Sequence, residues 1–199
     1  MVVLRYLRPV GGLVFIIMSK RDAPEVPVEE PPTKVAKVDK PAYTFNMNKA
    51  LDKAHEPCSF AEILALPPSA LQGLAERADP KLAKMHIKTI EDLGNWKFYK
   101  IAKAITVLAD TEEDGARNAE GNSNLNKALD KDFETKTFKE MADAPLSALQ
   151  GLADWVDEEL DDLRPAPRTV RDLANWKYCN WCEAFITLAA FENADHSSR

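Results

Sequence analysis

Ser69-Ala70-Leu71-Gln72-Gly73-Leu74-Ala75 recurs letter for letter as Ser147-Ala148-Leu149-Gln150-Gly151-Leu152-Ala153. The identity extends on both sides. Asn48-Lys49-Ala50-Leu51-Asp52-Lys53 returns as Asn126-Lys127-Ala128-Leu129-Asp130-Lys131, at the same offset of 78 residues. Downstream, Asp92-Leu93-Gly94-Asn95-Trp96-Lys97 matches Asp172-Leu173-Ala174-Asn175-Trp176-Lys177 at an offset of 80, two residues being inserted near Arg164-Pro165-Ala166-Pro167. With roughly half of the aligned positions identical, the chain is one unit written twice. A duplication argues against one active site assembled along the whole length and for two copies of a small module.

Apolar residues in each copy follow the helical period. Phe60, Ile63 and Leu64 share one face of a short helix, which Pro67-Pro68 ends because proline cannot continue the hydrogen-bond ladder. Ser69–Gly73 is read as a turn into a second helix carrying Leu74, Ala78, Leu82 and Met85. Thr89 is placed to cap a third, very short helix with Asp92 at the capping-box position. Asn95 is expected to cap the last helix, with Trp96, Ile101, Ile105 and Leu108 in a buried stripe. The counterpart stripe is Trp176, Trp181, Phe185 and Leu188. Neither copy holds a strand-length alternating run, so the fold class is all-α. The division is two four-helix units, residues 46–110 and 124–193, joined by an acidic, glycine-bearing linker over 111–123. Each unit is near the lower size limit for a self-sufficient core, which gives the two reason to pack on each other.

Ahead of the repeats, residues 19–45 are rich in proline and charge and read as a disordered tail. The apolar run Val10–Met18, preceded by Arg5 and Arg8, is shaped like a signal-peptide core but is too short to span a bilayer. An equally good reading starts translation at Met18 and leaves residues 1–17 as upstream sequence. Lysines and Arg21 between 20 and 40 loosely resemble a bipartite import signal, consistent with a cytoplasmic or nuclear protein.

The chain carries a net charge of −6, unevenly spread. Residues 48–110 hold nine basic against eight acidic residues, whereas residues 126–195 hold eight against fifteen. The first copy could approach an anion; the second would mostly repel one. Asp157-Glu158-Glu159 and Asp161-Asp162 are interrupted by Leu160, as on a solvated helix face, and lack the spacing of a calcium loop.

Leu71-Gln72-Gly73-Leu74-Ala75, followed by Lys84-Met85-His86-Ile87-Lys88-Thr89-Ile90-Glu91-Asp92-Leu93, resembles the helix-hairpin-helix class over about 25 residues of each repeat. Gly73 and Gly151 fall on the first hairpin glycine of that pattern, Ala75 and Ala153 on the second. His86 and Arg164 stand where the class often has glycine. The resemblance implies a hairpin whose backbone N–H groups hold a nucleic-acid phosphate, with Gly73, Arg77, Lys81 and Lys84 as its residues in the first copy. Loss of the second glycine weakens that contact, and the acidic second copy opposes it.

No constellation of nucleophile, base and oxyanion donor stands out. His55, His86 and His196 do not recur between copies. Ser69 and Ser147 each sit just after a helix-ending proline turn and read as helix caps. Cys58, Cys179 and Cys182 form no disulfide framework, and Cys179 and Cys182, at i, i+3 on a helix, read as buried thiols. No catalytic residue, metal or cofactor is expected. The expectation is a non-enzymatic interaction scaffold. Its partner-binding residues would be Trp155, Trp181 and Phe191 of the second copy, set among acidic residues to meet a basic or mixed protein surface. Nucleic-acid binding through the first hairpin is the alternative.

Overall fold

In the computed structural model, residues 45–113 and 121–193 are described. The tail over 1–44, with its import-like and signal-like segments, lies outside them, as does 114–120 of the linker. The first repeat contributes α1 (Phe60–Leu64), α2 (Asp79–Lys84), α3 (Ile90–Gly94) and α4 (Lys97–Ala109). The second contributes α5 (Phe138–Ala142), α6 (Trp155–Asp161), α7 (Val170–Ala174) and α8 (Lys177–Ala189). The fold is all-α. Extended pairing among the described residues is limited to isolated bridges, Leu51 with Leu71, Leu129 with Leu149, and Pro145 with Thr169.

Helices of five residues do not hold in water on local propensity, so each one here is fixed at its ends. Ser59, Thr89, Thr137 and Thr169 form full capping boxes with Glu62, Asp92, Glu140 and Asp172. Hydrogen bonds from the Lys88 amide, then from Thr89, hold the Asp92 carboxyl below its ordinary range, as a cap should.

Several local expectations are corrected. Asn95 closes α3 instead of opening α4, whose first flanking residue is Trp96. The second helix begins only at Asp79, beside Pro80 in its first turn, so Leu74 is buried from a loop. Ser69 and Ser147 sit within 3-10 turns and cap no helix; the Ser69 amide instead donates to Asp79. Leu108 and Leu188 leave the predicted stripes and are exposed. Trp96 and Trp176 are both buried, and the Trp176 indole donates to the Pro165 carbonyl at 2.7 Å.

The two copies match in fine detail. Gly73 and Gly151 have φ of +90° and +89°, the left-handed region that glycine enters without steric cost. His86, also where the helix-hairpin-helix pattern favours glycine, takes φ +62°.

Each repeat completes itself with the other's last helix. α4 packs on α5 and α7 of the second repeat, and α8 packs on α1 and α3 of the first. The exchange is close to two-fold symmetric. Just after α8, the Glu192 carboxylate accepts from the amides of Phe60 (2.7 Å) and Ala61 (3.4 Å) at the start of α1. Glu112, after α4, accepts from Phe138 (3.1 Å) and Lys139 (3.0 Å) at the start of α5. Residues 112 and 192 are equivalent in the repeat, as are 60 and 138. A carboxylate against the free amides of a helix start is favourable through both hydrogen bonding and the helix dipole. Glu112 is therefore an interface residue and not linker. One hydrophobic cluster runs through both copies, from Leu51 and Ile63 to Leu173 and Phe185.

Candidate functional site

The residues that the hairpin resemblance would give to a phosphate are mostly engaged by the second repeat. Lys81 lies 2.5 Å from Asp162 and 3.9 Å from Glu159, and Lys84 lies 2.5 Å from Glu159. The hydrogen bond from Lys81 is the main reason the Asp162 carboxyl sits below its usual range. Arg77 is exposed and within electrostatic reach of the same carboxylate. The Gly73 carbonyl is 2.8 Å from the Tyr178 hydroxyl, with Lys177 packed over the same glycine. Carboxylates meet these lysines where the alternative reading needs a phosphate. The acidic run of α6 is correspondingly less solvated than its composition implies. Burial, and then the Asp154 charge, raise the Asp157 carboxyl.

A second charged cluster lies between α4 and α8. The Lys103 ammonium contacts the Glu183 carboxylate and lies 3.2 Å from the Tyr99 hydroxyl. The Tyr99 hydroxyl donates to Glu183 at 2.7 Å and lies 3.0 Å from the Asn180 amide oxygen. Burial pushes the Glu183 carboxyl upward, but the hydrogen bonds from Lys103 and Tyr99 outweigh it and hold the group below its ordinary value. Desolvation first, then the Glu183 bond, raises Tyr99 far above the usual phenol range, so it remains a neutral donor. Beside this cluster Lys100, Lys103, Ala104, Val107, Leu108 and Glu183 line a shallow groove of about 450 Å³.

The three aromatics expected to bind a partner are not alike. Trp181 is half-buried, stands edge-on to Tyr178 at 5.6 Å and carries the Lys177 ammonium 5.2 Å from its ring centre. Its counterpart Ile101 is also half-buried against the core, so the position belongs to packing. Trp155, at the start of α6, remains 43 % exposed, and Phe191, just past α8, 84 %. Sequence reasoning missed Val107, Leu108 and Leu188, which are also exposed. The available signal was their place beside, and not on, the arc of Ala102, Ile105 and Ala109 in α4 and of Cys182, Phe185 and Ala189 in α8 that is covered.

Cys179 and Cys182 are fully buried on α8, and burial raises both thiols well above the usual range. Since the thiolate is the reactive form, native protein at pH 8 is expected to react promptly with a thiol reagent at half-buried Cys58 alone. The other two should react only after denaturant is added. Prompt reaction of three thiols per chain in the native state would show that α8 opens readily.

Among the described residues no group of His, Cys, Asp and Glu is arranged to hold a metal ion, and no helix is long and apolar enough to cross a membrane. Comparison with protein-family models, with curated proteins and with solved structures gives no match.

Proposed function

We propose that the paired repeats are a non-catalytic scaffold that binds a protein partner through the second repeat, with Trp155 and Phe191 as anchors. One observation carries this reading: both rings stand exposed where the first repeat has a polar residue at the equivalent position. Position 155 is Arg77 in the first copy, and position 191 is Thr111. The fold accepts polar side chains at both places, so packing does not call for an aromatic there. Exposed Asp154 and Glu158 flank Trp155, and Glu158 shares its helix face. An aromatic between carboxylates suits a lysine or arginine on the partner, through charge and through the face of the ring. Tryptophan is also the residue type most often found at the energetic centre of an interface.

The test exchanges each anchor for the first copy's own residue, Trp155→Arg and Phe191→Thr, in the full chain. Surface replacements of this kind change stability by about 0.5 kcal/mol or less. Helicity and melting should therefore stay at wild-type values. Affinity for a partner captured by the wild-type chain from its native source should fall about tenfold or more with Trp155→Arg. Equal affinity for both folded variants and wild type would refute these anchors.

A further inference from the structure

The contacts between the repeats have a property that neither repeat has alone. Lys81 is equivalent in the duplication to Glu159, Lys84 to Asp162, and Lys103 to Glu183. Each ion pair among these residues therefore joins a position to itself or to its neighbour in the symmetric cluster. Lys81 meets Glu159 and Asp162, Lys84 meets Glu159, and Lys103 meets Glu183. A second copy of either repeat, with its residues at the equivalent positions, turns each of these contacts into a like-charge contact. Two first repeats would set lysine against lysine in both clusters. Two second repeats would set carboxylate against carboxylate. The contact between Arg171 and Asp110 at 3.4 Å follows the same rule in one direction only: two first repeats would set Glu91 against Asp110, whereas two second repeats would set Arg171 against Ala190.

We infer that these charges are a pairing code: they make the face of the first repeat an interaction surface specific for the acidic face of a second repeat, and against its own kind. The core residues that the two copies share cannot make this distinction. Leu51, Leu71, Leu82 and Leu93 of one copy answer Leu129, Leu149, Leu160 and Leu173 of the other, identical residues at equivalent positions. Those shared leucines leave two chains free to pair first with first and second with second, and only positions that differ, Gly94 against Ala174 or Lys81 against Glu159, separate the pairings. Discrimination between partners of equal apolar fit has to come from contacts that repel the wrong one. The uneven charge of the two copies is then a matched difference, placed in part where the copies meet.

Charge reversal in the full chain reproduces each wrong pairing inside one molecule. Lys81→Glu with Lys84→Glu creates the acidic-on-acidic face of two second repeats. Glu159→Lys with Asp162→Lys creates the basic-on-basic face of two first repeats. Lys81 and Lys84 lie on α2, Glu159 on α6 and Asp162 at its C-terminal cap, and none belongs to the hydrophobic core. Thermal unfolding in low salt should show each double variant melting roughly 5 °C or more below wild type, the scale expected for losing one or two surface pairs and gaining repulsion in a chain of this size. The fourfold variant, with both faces reversed, should recover more than half of the summed loss. About 1 M salt, where the screening length is ~3 Å, should narrow the differences. A fourfold variant that recovers less than half, or double variants that melt with wild type, would overturn the pairing code.

Discussion

Replacing Gly94 with alanine is expected to lower stability by about 2 kcal/mol or more, although alanine is the better helix former. Gly94 is the last residue of α3, where α8 crosses closest. A methyl group there would lie 2.6 Å from Ile186 Cδ1, 2.8 Å from the Cys182 carbonyl carbon and 2.9 Å from Cys182 Cβ. Ile186 can swing its terminal methyl aside. The Cys182 backbone moves only with α8, and with it the Glu192 cap on α1. Glycine to alanine gains at most about 1 kcal/mol of helix propensity, while overpacking of this kind costs about 1–3 kcal/mol or more when backbone has to move. The clash wins. Valine at the same position should separate α3 from α8 and abolish the cooperative transition. Urea unfolding decides the matter: an alanine variant with the wild-type midpoint would show that α8 stands farther from α3 than described.

Tyr178→Ala is expected to cost about 3–5 kcal/mol, in the range for deleting a buried aromatic ring. The side chain is fully buried and stands edge-on to both Trp176 (5.3 Å) and Trp181 (5.6 Å). Its hydroxyl lies 2.8 Å from two carbonyls, Gly73 in the first repeat and Arg164 in the second, and donates its one proton to either. Tyr178→Phe separates the two contributions. The first copy already holds Phe98 at the equivalent position, buried and edge-on to Trp96, so the ring alone fits. Loss of the hydroxyl should cost about 1 kcal/mol, the net value of an ordinary hydrogen bond. Equal losses in the two variants would place the whole effect in the hydroxyl and contradict the packing argument.

The duplication made the helix class and the pairing of equivalent positions legible. Gly73 with Gly151 and Trp96 with Trp176 were visible as partners before any coordinates, and Thr89 with Asp92 was readable as a cap because its chemistry is local. The exchange of last helices was not readable. The apolar stripe of α4 has the same period whether it packs on its own repeat or on the other, and identical leucines in both copies give no preference. Leu108 and Leu188 misled for a related reason: they follow Ile105 and Phe185 at helical spacing, but the covered face runs on through Ala109 and Ala189 and leaves them at its edge. Lys81 and Lys84 looked available to an anion because their carboxylate partners lie about 80 residues away in sequence. Trp155 and Phe191 stood out by comparison of the copies, as aromatic where the sister position is polar. That contrast remained informative once burial was known, whereas Trp181 against Ile101 did not.

The exchanged helices also set the order in which the molecule can be completed during synthesis. α5 receives its cap from Glu112, only 26 residues upstream, and can take it as soon as it is made. α1 waits for Glu192, 132 residues downstream, and until α8 has emerged the start of α1 lacks that carboxylate and the sides of α1 and α3 that α8 covers stay open. A nascent chain ending anywhere before α8 thus carries an open apolar surface that the next ribosome's product fits equally well, the circumstance in which neighbouring chains become entangled. The lysines on α2, already displayed at that stage on a different face, repel the α2 of another unfinished copy and keep that face for α6 of their own chain.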